Sequence, residues 1–290
     1  MTVTDVYQAI RSRRVARLRV RGIDYSINEW GNPADPLFFY LHGWGDTGST
    51  FQFVVDELKR DWFVVAPDWR GFGGSSGGGL GYWFPDYLAD LDRLLRHYSP
   101  GAPVRLVGHS MGGNVAGLYA GAFPERVSAF ADVEGFGLAD AAPREAPARY
   151  RAWIEQEEAG PEFLDYANFS ALAQRIQRRN PGMTSAQAEY VAREWAVENA
   201  LGRVVLRADP THKLPNPVLY RRAEAEACWR EITAETLLIV GTRSHFVAAD
   251  DSLLATQKVR WIEDAGHMLH FECPRELAAV IEEFLSSTGT

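Results

Sequence analysis

The residues of this chain best suited to chemistry form the run Gly108-His109-Ser110-Met111-Gly112, a serine set in a G-x-S-x-G pattern. It follows directly on the apolar positions Val104, Leu106 and Val107. A short apolar run feeding this motif predicts a buried strand, a sharp turn and a helix that starts near Met111. The flanking glycines let the backbone turn tightly and let strand and helix approach closely, so that Ser110 sits strained and exposed. The chemistry this suits is nucleophilic attack. A serine hydroxyl is a weak nucleophile at neutral pH, however, and needs a base within hydrogen-bond reach, itself held by a carboxylate.

The five-residue pattern alone has little specificity, and its context supplies the rest. Val115, Leu118, Tyr119 and Ala122 follow at helical spacing, and Pro124 stops the helix. Further upstream, residues 37–41 read Leu-Phe-Phe-Tyr-Leu, a continuous apolar strand covered on both faces, and His42-Gly43-Trp44-Gly45 follows at once. A Gly-rich turn at a strand end offers free backbone N–H groups, which a developing oxyanion requires.

The elements that must position these residues alternate along the chain. Residues 15–20 and 23–30 read as a hairpin turning at Arg21-Gly22, with arginines blunting an exposed edge strand. A helix over 51–58, a buried strand over 62–66 and an amphipathic helix through Phe84, Tyr87, Leu88, Leu91, Leu94, Leu95 and Tyr98 lead to the elbow strand. Gly77 to Gly79 lack the Lys-Ser/Thr ending of a phosphate loop and read as a surface loop. Strands follow over 127–133, 237–241 and 259–262, and a last helix runs over 274–285. Strands alternating with helices imply a mostly parallel sheet covered on both faces, an α/β fold.

Between the two halves of this pattern, residues 137–232 turn polar and helical, with Trp153, Phe163, Tyr166, Phe169, Tyr190 and Trp195 spread along them. Thr184 and Gln187 resemble a capping box, and Pro210, Pro215 and Pro217 mark an irregular return. The stretch reads as a helical lid inserted into one core domain, 1–136 plus 233–290.

Composition narrows the partners. The 290 residues are 46% hydrophobic and 23% charged, enough for a large core in an ordinary globular chain. A net charge of −8 argues against nucleic acid or an anionic membrane as the main partner. Cys228 and Cys273, the only cysteines, lie far apart without C-x-x-C spacing, which argues against a disulfide framework or a zinc site. With no signal-like or membrane-spanning apolar segment, the expectation is a cytoplasmic protein.

Four motifs in order, His42-Gly43-Trp44, Asp68-Trp69-Arg70-Gly71-Phe72-Gly73, Gly108-His109-Ser110-Met111-Gly112-Gly113 and Gly266-His267, make the chain resemble the α/β-hydrolase superfamily over nearly all but the lid. Within it the chain is similar to serine-hydrolase-like and lipase-like branches. The resemblance implies an eight-stranded, mostly parallel sheet with a helical cap after the sixth strand. It implies Ser110 as nucleophile, His267 as base and the backbone N–H groups of Trp44 and Met111 as oxyanion donors, with no metal or organic cofactor. His42, Gly43 and His109 are then assigned to the substrate pocket, His42 chiefly shaping the turn. The Trp44 side chain is either pocket wall or packing, and His97, His212, His245 and His270 are structural or solvated.

The chain departs from the family where most relatives carry the acid, for Gly241-Thr242-Arg243 leads to Ser244. Some relatives place the acid just after the sixth strand instead, where Glu134 stands, with Asp132, Asp250 and Asp251 as competitors. A serine nucleophile favours acyl transfer, so the resemblance implies hydrolysis of a small to medium carboxylic ester or thioester. Hydrolysis of a carbon–carbon bond in a vinylogous diketone uses the same triad, and a binding or receptor protein with little turnover keeps the same fold.

Overall fold

The computed structural model describes residues 5–77, 79, 81–135, 137–245 and 258–288. Its first element is the hairpin of β1 (Arg14–Val20) and β2 (Ile23–Trp30), paired antiparallel. Arg21 and Gly22 turn it with φ of 48° and 85°, the left-handed pair that matches strand twist in a two-residue hairpin. The apolar runs that follow become β3 (Leu37–Leu41), β4 (Phe63–Pro67), β5 (Val104–His109) and β6 (Val127–Val133). A separate small hairpin, β7 (Ala196–Glu198) with β8 (Val204–Leu206), precedes β9 (Glu235–Gly241) and β10 (Lys258–Ile262). The main sheet has eight strands in the order β1-β2-β4-β3-β5-β6-β9-β10, parallel from β4 onward.

Because successive side chains of a strand face opposite ways, the buried strands feed two cores. On one face Tyr40, Val64 and Ala131 pack with α1 (Gln52–Glu57) and the C-terminal helix, which contributes Leu277 and Ile281. On the other, Phe39, Val65 and Leu106 pack against α2 (Phe84–Tyr98) and α3 (Met111–Ala122) through Leu91, Leu94, Val115 and Tyr119.

The long insertion between β6 and β9 contains α4 (Ala146–Ala159), α5 (Phe169–Arg179), α6 (Ser185–Trp195) and α7 (Arg222–Arg230). The Thr184 side chain accepts the Gln187 N–H, and the Gln187 side chain accepts the Thr184 N–H, so the capping box forms. Two features depart from the helical reading of this stretch. The β7/β8 hairpin lies inside it, and α7 packs on α3, so closely that Gly121 has no room for a Cβ beside the Cys228 backbone. α5, α6 and the hairpin bury Leu172, Ile176, Val191 and Val204 in a third cluster closed by Phe53 and Phe271 of the core. Two C-terminal helices, α8 (Leu269–Glu272) and α9 (Pro274–Ser287), complete the chain.

β1 ends the sheet at one edge, as its arginines suggest. Arginines in and beside it are occupied: Arg13 bridges Glu194 of α6 at 2.8 Å, Arg21 reaches Asp86 and Asp90, and Arg19 pairs with Asp24.

Candidate active site

Parallel register brings the C-terminal ends of five neighbouring strands level. Leu41 pairs with Gly108, His109 with Val133, Val133 with Ile239 and Gly241 with Ile262. The turns leaving these ends carry every candidate residue, where ligands collect in open α/β sheets.

Ser110 stands between β5 and α3 with φ 51° and ψ −115°, a strained conformation for a residue bearing a side chain. Three glycines permit it. Gly108 lies against Gly113, Gly112 against the Leu41 carbonyl, and Gly43 against both the Ser110 Cβ and the His109 ring. The Ser110 N–H donates to the Val133 carbonyl at 2.8 Å, and its carbonyl accepts from the Asn114 N–H and Nδ2 at 3.0 Å, which locks the elbow.

His267 lies in the loop between β10 and α8. Its Nε2 is 3.0 Å from Ser110 Oγ, and its Nδ1 is 3.3 Å from Glu134 Oε2. Glu134 follows β6 with a left-handed φ of 60°, and its side chain is fully buried. The Gly241 N–H donates to its Oε1 at 2.8 Å, and the Ser244 hydroxyl donates to the same Oε2 that faces His267. The serine at the position where most relatives carry the acid thus holds Glu134, the candidate acid. Asp132 points elsewhere: its Oδ1 accepts the Gly135 N–H at 2.9 Å, and burial raises its carboxyl to about 8. Asp250 and Asp251 lie outside the described residues.

The turn after β3 provides the opposite wall. The backbone N–H groups of Trp44 and Met111 make no hydrogen bond among the described residues, and both residues border the same cavity as Ser110. His42 is fully buried. Its Nδ1–H donates to the Gly43 carbonyl at 2.8 Å and its Nε2 accepts the Trp69 N–H at 2.8 Å, while burial lowers its pKa to about 4. It is a neutral brace for the turn.

The assignment of His42, Gly43 and His109 to the substrate pocket needs correction. None of the three is among the described residues lining the cavity: the His42 and His109 rings are buried behind the turn and the elbow, and Gly43 is buried against the Ser110 Cβ and the His109 ring. Buried His109, its pKa lowered by desolvation and by His270 and His267, donates its Nε2–H to the His267 carbonyl at 2.9 Å. It anchors the His267 loop from below.

A second histidine–carboxylate pair lies directly behind. His270 Nε2 is 3.0 Å from Asp46 Oδ2, and Asp46 Oδ1 accepts from Thr50 Oγ1 and from Trp195 Nε1 at 2.8 Å each. Burial disfavours the Asp46 charge, but the His270 contact outweighs it and lowers the pKa. Asp46, His109 and His270 place ligand atoms within 4.8 Å of one another, the arrangement among the described residues nearest to a metal site. The Asp46 oxygens are already engaged, whereas Nδ1 of each of the two histidines is buried without a partner among the described residues.

The cavity above Ser110 has a volume of about 280 Å³. Trp44 forms part of its wall, and of the aromatic residues spread along the insertion Trp153 does. Tyr166, Phe169, Tyr190 and Trp195 pack the insertion onto the core instead. His212 is the residue that spacing alone misses. It stacks between Phe72 and Tyr82 at ring distances of 3.8 and 3.5 Å in the cavity wall. The proline-rich return at 210–217 was its one sequence signal, since five cavity residues lie between Thr211 and Pro217 besides His212 itself.

A family model described as alpha/beta hydrolase fold matches residues 36–274. The chain belongs to the α/β-hydrolase fold family. A serine hydrolase-like protein of Danio rerio is 27% identical over 276 residues, covering 88% of this chain and 83% of that one. Serine hydrolase-like protein 2 of Homo sapiens is 26% identical over 282 residues, covering 89% and 90%. Among solved structures, a thioesterase domain from the curacin biosynthetic pathway superposes with a TM-score of 0.86 at 24% identity, over 95% of this chain and 100% of that one. At that identity the likeness concerns the fold.

Among the described residues no helix is long and apolar enough to cross a membrane.

Proposed function

We propose that this α/β-hydrolase is a serine hydrolase that cleaves a small to medium carboxylic ester or thioester through an acyl-enzyme on Ser110. The observation that carries the reading is the continuous line from Ser110 Oγ to His267 Nε2 at 3.0 Å, and from His267 Nδ1 to Glu134 Oε2 at 3.3 Å. His267 takes the Ser110 proton as Oγ bonds to the acyl carbon, and Glu134 stabilises the imidazolium so formed. The Trp44 and Met111 amides receive the oxyanion. His267 then gives its proton to the departing alcohol or thiol. Water, deprotonated by His267, attacks the acyl carbon, and the bond to Ser110 breaks, Oγ taking the proton back from His267 as the acid leaves.

The names of the relatives, serine hydrolase-like, agree with this reading. An acid within reach of His267 also supports turnover over a binding-only role, whose main support was the missing aspartate at Ser244. The partner is a small-molecule acyl substrate. A fluorophosphonate probe is expected to label the wild type at Ser110 and not Ser110→Ala, and p-nitrophenyl acyl esters to be hydrolysed only by the former. An intact, folded wild type that never reacts with the probe would refute the assignment.

A further inference from the structure

The cavity over Ser110 has a chemistry that goes beyond the presence of a nucleophile. Six aromatic rings border it: Trp44, Tyr82, Trp83, Phe84, Tyr87 and Trp153. Among its described lining residues there is no lysine, arginine, aspartate or glutamate. The one basic side chain in the wall, His212, is held neutral. Burial lowers its pKa to about 4, and its Nε2–H donates to the Arg70 carbonyl at 3.1 Å.

The wall is also stiff where it meets the ligand. Phe72, His212 and Tyr82 form a three-ring stack, and the Tyr82 hydroxyl donates to Asp209 Oδ2 at 2.6 Å, tying the end of the stack in place. Nearby arginines are spent elsewhere: Arg70 makes a two-point contact with buried Asp90 at 2.6 and 2.8 Å. An anionic acyl group entering here loses its water and finds no cation, a cost with no return. A flat apolar group finds ring faces and edges on several sides, the arrangement in which aromatic pairs attract. With a volume of about 280 Å³, the space suits a single ring system better than a long chain wholly enclosed.

We infer that, given the serine-hydrolase reading above, the substrate class is neutral esters or thioesters with an arylacyl group seated in this cavity, and that acyl groups carrying a carboxylate are rejected. The inference concerns what the cavity selects, so it can fail while Ser110 remains a nucleophile.

Two measurements separate the possibilities. In the wild type, kcat/KM for p-nitrophenyl phenylacetate should exceed that for p-nitrophenyl acetate by about tenfold or more, and that for the p-nitrophenyl monoester of glutaric acid by about a hundredfold. In Ser110→Ala, intrinsic fluorescence from Trp44, Trp83 and Trp153 should respond to ethyl phenylacetate and not to monoethyl glutarate at equal concentration. The second readout needs no turnover, so it stands or falls apart from the hydrolase reading. Leu214→Arg, which adds a cation to the wall, should shift the preference toward the glutarate monoester by about tenfold or more. Equal or better use of the glutarate monoester by the wild type, or equal binding of the two ethyl esters by Ser110→Ala, would overturn the inference.

Discussion

Two histidine–carboxylate pairs, whose histidines stand three residues apart on the chain, differ in what the other imidazole nitrogen meets. His267 pairs with Glu134 at 3.3 Å and keeps 21% of its side chain exposed, with Nε2 turned to Ser110 Oγ at the cavity. His270 pairs with Asp46 at 3.0 Å, is only 1% exposed, and its second nitrogen meets no partner among the described residues. The buried pair has the shorter contact and the better-shielded environment, yet no substrate can reach it. It ties the turn after β3 to the short helix that follows the base, and so holds the two walls of the site at a set separation. A carboxylate beside an imidazole is therefore not what makes a catalytic base. What sets His267 apart is that its Nε2 meets a serine hydroxyl that borders a cavity, which suits it to the proposed role of base.

The comparison can be broken at its strongest point by His267→Ala, which should lower kcat on a p-nitrophenyl ester by about 10⁶ while leaving thermal stability near wild type. Glu134→Gln should cost about 10⁴ in kcat, because the amide neither stabilises the imidazolium nor enforces the tautomer. Full turnover in that variant would remove Glu134 from the triad. His270→Gln should act on stability instead, destabilising the fold by about 1–3 kcal/mol in denaturant unfolding, since buried Asp46 loses its imidazole contact. Its residual kcat should stay far above that of His267→Ala at a temperature where both are folded. A stable His270→Gln protein with no activity would erase the distinction between the pairs.

The smallest effect is expected at Asp132, the carboxylate that lies beside the acid without touching the base. Its pKa, raised by burial to about 8 in the folded chain, means that the folded state holds a proton the unfolded state releases near 4. That contribution to stability is complete below about pH 4 and is lost as pH rises toward 8. Asp132→Asn keeps an oxygen for the Gly135 N–H and carries no charge. It should retain turnover within a few-fold and show a melting temperature that falls less than that of the wild type between pH 5 and 8.

Much of the frame was legible because it rests on local patterns. The apolar runs at 37–41 and 127–133 become β3 and β6 with the boundaries read from the sequence, and the amphipathic repeat from Phe84 to Tyr98 becomes α2. Burial on both faces, or on one stripe, writes itself into residues two or three and four apart. The β7/β8 hairpin was not legible as such, since its strands span three residues each and carry too few positions for a period. Nor was the packing of α7 on α3, which depends on two glycines of the elbow helix meeting Cys228 and Trp229 more than a hundred residues later.

By itself the sequence determined the chemistry available: a serine in a glycine elbow, a histidine before the last helices, a glycine-rich turn after β3, and a serine where an acid is usual. Spacing along the chain is enough for these, because each is a local backbone requirement. Only the tertiary structure decided which carboxylate serves which histidine. Glu134 and Asp132 differ by two positions on one strand end, and a left-handed turn at Glu134 sends one carboxylate to His267 and leaves the other on the Gly135 amide. Hydrogen bonds from Gly241 and Ser244, over a hundred residues away, complete that choice. Such contacts are made by the register of β6 beside β9, a property that no stretch of sequence carries alone.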